Sequence, residues 1–148
     1  MKLMLDTTYL LPAIGILVKG LPKNAVLDLI GKGHELLINE VSLFELSAKG
    51  AKYVANGVLS PERVCRGIKA IVYDERIKKI QMHDTSILLT AFKLREIIKD
   101  FIDCIILSTA ITHADVLVTE DRDLQRLLPE EMPSLKPEFK IWSLKELL

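Results

Sequence analysis

The feature that most constrains this chain is an alternation. Short apolar runs of strand length are separated by longer stretches with helical spacing, and several of the runs end in polar or acidic residues. Lys2–Leu5 ends in Asp6-Thr7-Thr8, Glu35–Asn39 leads into Val41-Ser42, and Asp115–Thr119 flows into Glu120-Asp121-Arg122-Asp123. Apolar strands alternating with helices imply an α/β fold with a central, mostly parallel sheet covered on both faces.

Local signals place the remaining elements. A helix is expected over Tyr9–Lys19, stopping near Gly20, and a second over Lys23–Ile30, opened by Pro22 and closed by Gly31 and Gly33. Ser42-Leu43-Phe44-Glu45 has the spacing of a capping box for a helix ending by Gly57. Ser60-Pro61-Glu62 opens another, in which Val64, Ile68, Ile71 and Val72 recur at helical intervals. Ile77–Met82 reads as a short strand. Asp84 or Thr85 caps a helix whose apolar side holds Ile87, Leu88, Ala91, Phe92 and Leu94, and Asp103 begins an apolar helix over Cys104–Thr112. A helix over Leu124–Leu128 is ended by Pro129, Pro133 and Pro137 mark a loop, and Phe139–Trp142 adds a last strand before the tail.

At 148 residues, 49% of them apolar, the chain has the size and core of a single domain spanning 1–148. Formal charge is zero, which removes the simplest argument for a nucleic-acid binder, but the charges segregate. Leu46–Lys79 carries eight bases to three acids, and Asp100–Glu131 eight acids to two bases. Two cysteines, Cys65 and Cys104, cannot build a disulfide framework and suit a reducing, cytoplasmic setting. His34, His83 and His113 stand alone, with no zinc-ligand spacing. The Leu10–Val18 run has Asp6 and Pro12 around and within it and no cleavage pattern after it. No stretch approaches the roughly 20 apolar residues that span a bilayer, so no membrane partner is expected.

Sites in open α/β sheets gather outside the C-terminal ends of strands. Asp6 follows the first strand, Glu45 lies early in the helix after the second, Asp121 follows the Asp115–Thr119 strand, and Asp103 opens the helix leading into that strand. Each has an ordinary structural explanation: Asp6 ends a strand, Glu45 closes a box with Ser42, Asp103 and Asp121 cap helices for about 1 kcal/mol each. Their joint placement is harder to explain that way. Two carboxylates about 4 Å apart repel by roughly 4 kcal/mol at an effective dielectric of 20, so such a cluster either takes up protons or holds a cation. With oxygen ligands alone, Mg²⁺ or Mn²⁺ is favoured over zinc.

Leu5-Asp6-Thr7-Thr8, Ser42-Leu43-Phe44-Glu45-Leu46, Asp103-Cys104-Ile105-Ile106-Leu107-Ser108-Thr109-Ala110 and Val118-Thr119-Glu120-Asp121-Arg122-Asp123-Leu124 resemble, in order, the acidic motifs of PIN-domain ribonucleases, above all the small VapC-type toxins of toxin-antitoxin pairs. The resemblance covers essentially the whole chain. It implies a three-layer α/β/α fold, a metal-dependent endoribonuclease acting on an RNA substrate, a homodimer and a cognate antitoxin protein. Asp6, Glu45, Asp103 and Asp121 would be the catalytic acids and hold one or two Mg²⁺ or Mn²⁺ ions. Thr119, Asp123, Thr7 and Ser42 would support them, while Lys49 and Lys52, in the basic middle segment, would guide the RNA backbone. Leu124 stands where the family commonly has an aromatic, a change of packing rather than of metal binding. The competing reading is a non-catalytic PIN-like interaction module that retains the acids as relics or caps.

Overall fold

The computed structural model describes residues 1–132 and 136–147. The loop position expected at Pro133 and the final residue of the tail fall outside them. Strands β1 (Lys2–Leu5), β2 (Glu35–Asn39), β3 (Ile77–Ile80), β4 (Val116–Val118) and β5 (Lys140–Trp142) form a five-stranded sheet in the order β3-β2-β1-β4-β5. Every neighbouring pair is parallel. The chain winds outward from β1 to β3, then returns to the other side of β1 to form β4 and β5. The reversal lies between β1 and β4, the place where open α/β sheets hold their ligands.

Alternation along the strands divides the core. Leu3, Leu5, Leu36, Ile38, Val116 and Val118 face one cluster, which is completed by Leu10, Ile14, Leu29, Leu46, Val64 and Ile71. Met4, Leu37 and Leu117 face the other, with Ile87, Leu94, Cys104, Ile106, Leu107 and Ala110. The first layer is built by a 3-10 helix (Thr7–Ile14), α1 (Ala25–Gly31), α2 (Glu40–Ala55) and α3 (Pro61–Val72), the second by α4 (Thr85–Leu94) and α5 (Phe101–His113). The result is an α/β/α sandwich. Residues 104–111 of α5 are all buried, which is why this segment has no charged face, and its two hydroxyls, Ser108 and Thr109, donate to the Ile87 and Ile105 carbonyls.

The structure departs from sequence expectation at several element ends, each for an identifiable reason. The helix expected over Tyr9–Lys19 is the tighter 3-10 segment Thr7–Ile14: Pro12 has no N–H to give an α-helical bond, and Gly15 closes the turn at φ 96°. Ser42 does not cap α2. Asn39 does, its Oδ1 accepting from the Val41 N–H at 2.8 Å while its Nδ2 donates to Thr109 Oγ1 at 2.8 Å, so the helix starts directly off β2. Likewise Asp100, not Asp103, caps α5, accepting from the Ile102 N–H at 2.8 Å. The last helix, α6 (Arg122–Gln125), is earlier and shorter than expected. Phe92 sits on the exposed side of α4, stacked on Phe101 with ring centroids 5.7 Å apart.

Between α2, α3 and the 3-10 helix the backbones approach too closely for side chains. A Cβ at Gly67 would lie 2.2 Å from the Ala13 carbonyl oxygen, and one at Gly50 would lie 2.6 Å from a Val64 methyl. That same Ala13 carbonyl accepts from the Arg63 guanidinium at 2.7 Å, pinning α3 to the 3-10 segment.

Candidate metal centre

The β1–β4 register carries two of the acids to one point. Leu5 pairs with Val118, and the Asp6 N–H donates to the Val118 carbonyl at 3.0 Å, so Asp6 and Thr119 emerge side by side at the C-terminal edge. The Thr119 hydroxyl donates to Asp6 Oδ2 at 2.7 Å and accepts from the Asp121 N–H at 3.1 Å. One buried hydroxyl therefore orients both acids, and the Gln125 side chain holds the Thr119 carbonyl at 2.7 Å.

Around this point is a cavity of about 330 Å³ lined by Asp6, Thr8, Glu45, Lys49, Asp103, Glu120 and Asp121. Four chain segments far apart in sequence contribute. The β1 end supplies Asp6 and Thr8; α2 supplies Glu45 and, one turn on, Lys49; the first turn of α5 supplies Asp103; the β4 end supplies Glu120 and Asp121. Helices that return antiparallel to the strands necessarily begin at this edge, which is how Asp103 reaches it.

The ordinary explanations separate the acids into two pairs. Asp6 and Asp121 do cap helices: Asp6 Oδ1 accepts from the Thr7 N–H at 2.7 Å, and Asp121 Oδ1 from the Asp123 N–H at 2.8 Å. Glu45 and Asp103 cap nothing, since Asn39 and Asp100 hold those positions. Among the described residues neither carboxylate has a hydrogen-bond donor or a cationic partner within bonding distance. They face the other acids without structural employment.

Proton affinities respond to this crowding. Burial pushes the Asp6 carboxyl up, the Thr119 and Thr7 donors pull it back, and Glu45 and Asp121 push it further up. Half-buried Asp103 is pushed up to about 7, first by desolvation and then by the charges of Asp6, Asp100, Asp121 and Glu45. Carboxyls raised by burial and mutual repulsion are ones a cation would relieve. Among the described residues no group of three or more His, Cys, Asp or Glu side chains stands close enough together to hold a metal ion. An all-oxygen set of this kind nevertheless fits a hard cation such as Mg²⁺, which keeps several waters and needs only one or two direct carboxylates.

The expected supporting residues divide. Thr7 helps through its backbone; its buried hydroxyl has no partner among the described residues, nor does that of Ser42, which sits one turn before Glu45 on α2. Asp123 lies in an adjacent depression instead of the acid cavity, and Lys52 lines neither. Two lining residues were not singled out from sequence, Thr8 and Glu120. Glu120 accepts from the Tyr9 hydroxyl and, at 3.0 Å, from the Leu144 N–H, fixing the wall; burial beside Glu120 raises the Tyr9 pKa. Adjacency to Asp6 and Asp121 was the signal available for both.

Fold and cavity together define an α/β protein with an acidic centre at the switch point of a parallel sheet. A family model for the PIN domain matches residues 3–127, and the chain belongs to that family. Two solved structures share the fold: VapBC2 from Rickettsia felis bound to a DNA fragment from its promoter (TM-score 0.62) and DNA-bound VapBC from Salmonella typhimurium (TM-score 0.64). In each, the similar chain is 21% identical, with 97% of this chain and 98% of that one covered. Comparison with curated proteins gives no significant match.

Proposed function

We propose that the protein is a divalent-metal-dependent endoribonuclease, the toxin of a VapBC-type pair, acting in the cytoplasm on an RNA substrate. The observation that carries this reading is that Glu45 and Asp103, free of any capping role, share a cavity with Asp6 and Asp121. Membership of the PIN family and the fold shared with two VapBC structures support it.

In this reading Asp6 and Asp103, with Glu45 and Asp121 beside them, would hold one or two Mg²⁺ or Mn²⁺ ions. A divalent ion held there supplies Lewis acidity, activating water and offsetting phosphoryl charge. The chain's own groups do the rest. Thr119 keeps Asp6 and Asp121 in fixed orientation, Glu45 accepts the proton of the attacking water, and the Lys49 ammonium attracts the phosphate that the acids would otherwise repel. A cognate antitoxin and a second copy of the chain are the proposed partners. Exposed Leu89 and Phe92 on α4 are apolar area suited to such a contact.

The test is cleavage of single-stranded RNA by purified protein with and without Mn²⁺. Metal-dependent cleavage that falls at least about 100-fold in a folded Asp103→Asn protein is expected. Equal cleavage by Asp103→Asn would refute the assignment, and absence of both cleavage and saturable Mn²⁺ binding would return the chain to the non-catalytic interaction module.

A further inference from the structure

Beside the acid cavity lies a second depression, of about 430 Å³, and the two meet at Asp103 and Asp121, which line both. Its apolar floor includes Ile98, Leu124 and Leu127; Ile98 and Leu124 are largely buried in the α5-side core, so the floor is fixed. Asp100 and Asp123 stand on its rim. Asp100 spends one oxygen capping α5, whereas the Asp123 carboxylate has no hydrogen-bond donor among the described residues.

We infer that this depression is a nucleobase subsite, with Asp123 the specificity-determining residue and guanine the base it selects. The inference rests on the ribonuclease reading, because it seats a nucleotide next to the phosphate being cut. Chemistry excludes the rest of the nucleotide. Apart from Asp103 and Asp121, which the ribonuclease reading gives to the cation, the depression carries Asp100 and Asp123 against one lysine, Lys99, so it offers a phosphate no net positive charge. An unstacked neutral base needs none, and its face can lie on the aliphatic floor while its edge is read by the rim. The volume lies within the range of small-molecule pockets, roughly 300–1,000 Å³.

The acceptor-only rim chooses among bases. A carboxylate takes two parallel N–H bonds best from a group presenting adjacent donors, and the Watson–Crick edge of guanine offers N1–H beside its exocyclic amine. Adenine and cytosine offer one amine beside an acceptor nitrogen. Uracil offers one N–H flanked by carbonyl oxygens, which the carboxylates repel.

The test has two arms. In the first, guanosine, adenosine, cytidine and uridine are titrated without metal into isotope-labelled protein, and the Ile98, Leu124 and Leu127 methyl resonances are followed. Guanosine should shift them saturably, about tenfold more tightly than uridine, and Asp123→Asn should remove that difference. Equal response to all four nucleosides, or an unchanged preference in Asp123→Asn, overturns the subsite. In the second, cleavage sites in a randomised RNA are sequenced with Mn²⁺ present. Guanine enrichment at one position flanking the cut, flattened in Asp123→Asn, is the expected result. Cleavage without base preference overturns the subsite and leaves the ribonuclease standing; guanosine-selective binding without cleavage does the reverse.

Discussion

Thr119 and Asp6, 113 positions apart in sequence, are joined by a 2.7 Å hydrogen bond in which the threonine hydroxyl donates to the carboxylate. The same oxygen accepts the Asp121 N–H, so a single small side chain ties together the ends of β1 and β4 where the acidic centre forms.

Thr119→Val keeps the shape and removes both bonds. It should lower stability by about 1–3 kcal/mol, because a buried carboxylate and an N–H are left without their partner. It should also reduce RNA cleavage more than Thr119→Ser, which keeps the hydroxyl. Urea unfolding and turnover measured on the same three proteins check both statements.

A pH dependence follows from Asp103, whose pKa rises from 3.8 to about 7 on folding. An acid that binds its proton more tightly when folded contributes stability that is complete below the unfolded pKa and lost as pH rises through the folded one. The metal-free protein should therefore lose this contribution between about pH 4 and 7 and change no further above it. Asp6, also raised, acts in the same direction. His34, lowered by burial and by the terminal amine, acts in the opposite one, and the lowered Asp74 and Asp84 matter only in more acid solution. Comparing wild type with Asp103→Asn isolates the effect: the variant's advantage in urea unfolding should grow from pH 5 to pH 7.5. An advantage that shrinks over that range would contradict it.

Packing between α3 and the 3-10 helix gives a prediction independent of chemistry. Gly67→Ala puts a methyl 2.2 Å from a backbone carbonyl, and an overpacking cost of about 1–3 kcal/mol should exceed the roughly 1 kcal/mol of helix propensity gained. Gly31→Ala, with nothing within 4 Å of its Cβ, should be neutral or stabilising by up to about 1 kcal/mol. Thermal unfolding of the pair distinguishes them by sign.

Lys49 and Lys52, alike in sequence, differ in place, and only Lys49 lines the cavity. Lys49→Glu should weaken RNA binding more than Lys52→Glu and reduce its salt dependence by about one phosphate contact. Affinities measured across a salt series provide the check.

The framework was legible because buried parallel strands have apolar interiors: Lys2–Leu5 and Glu35–Asn39 are the observed strands to the residue. Ser60-Pro61 and Asp84 mark true helix starts for an equally local reason, a side chain reaching its own first turn. The starts of α2 and α5 were misplaced because the deciding groups were not in the local pattern. Asn39 is fixed as a cap partly by Thr109, 70 positions away, and Asp100 outcompetes Asp103 three residues earlier. Those misplacements bear directly on the site: the caps that Glu45 and Asp103 were expected to serve are served by neighbours. The part of Glu120 in the wall depends on Tyr9 and Leu144, contacts that exist only once the chain has folded.

Calorimetric titration of the metal-free protein with Mn²⁺ at pH 7.5 is the decisive measurement for a divalent-cation site shared by Asp6, Glu45, Asp103 and Asp121. Wild type should bind saturably, releasing protons as the pH approaches 7, and binding should weaken at least about tenfold in Asp103→Asn and in Asp6→Asn. Wild-type affinity retained in both folded variants, or no saturable binding at all, would contradict it.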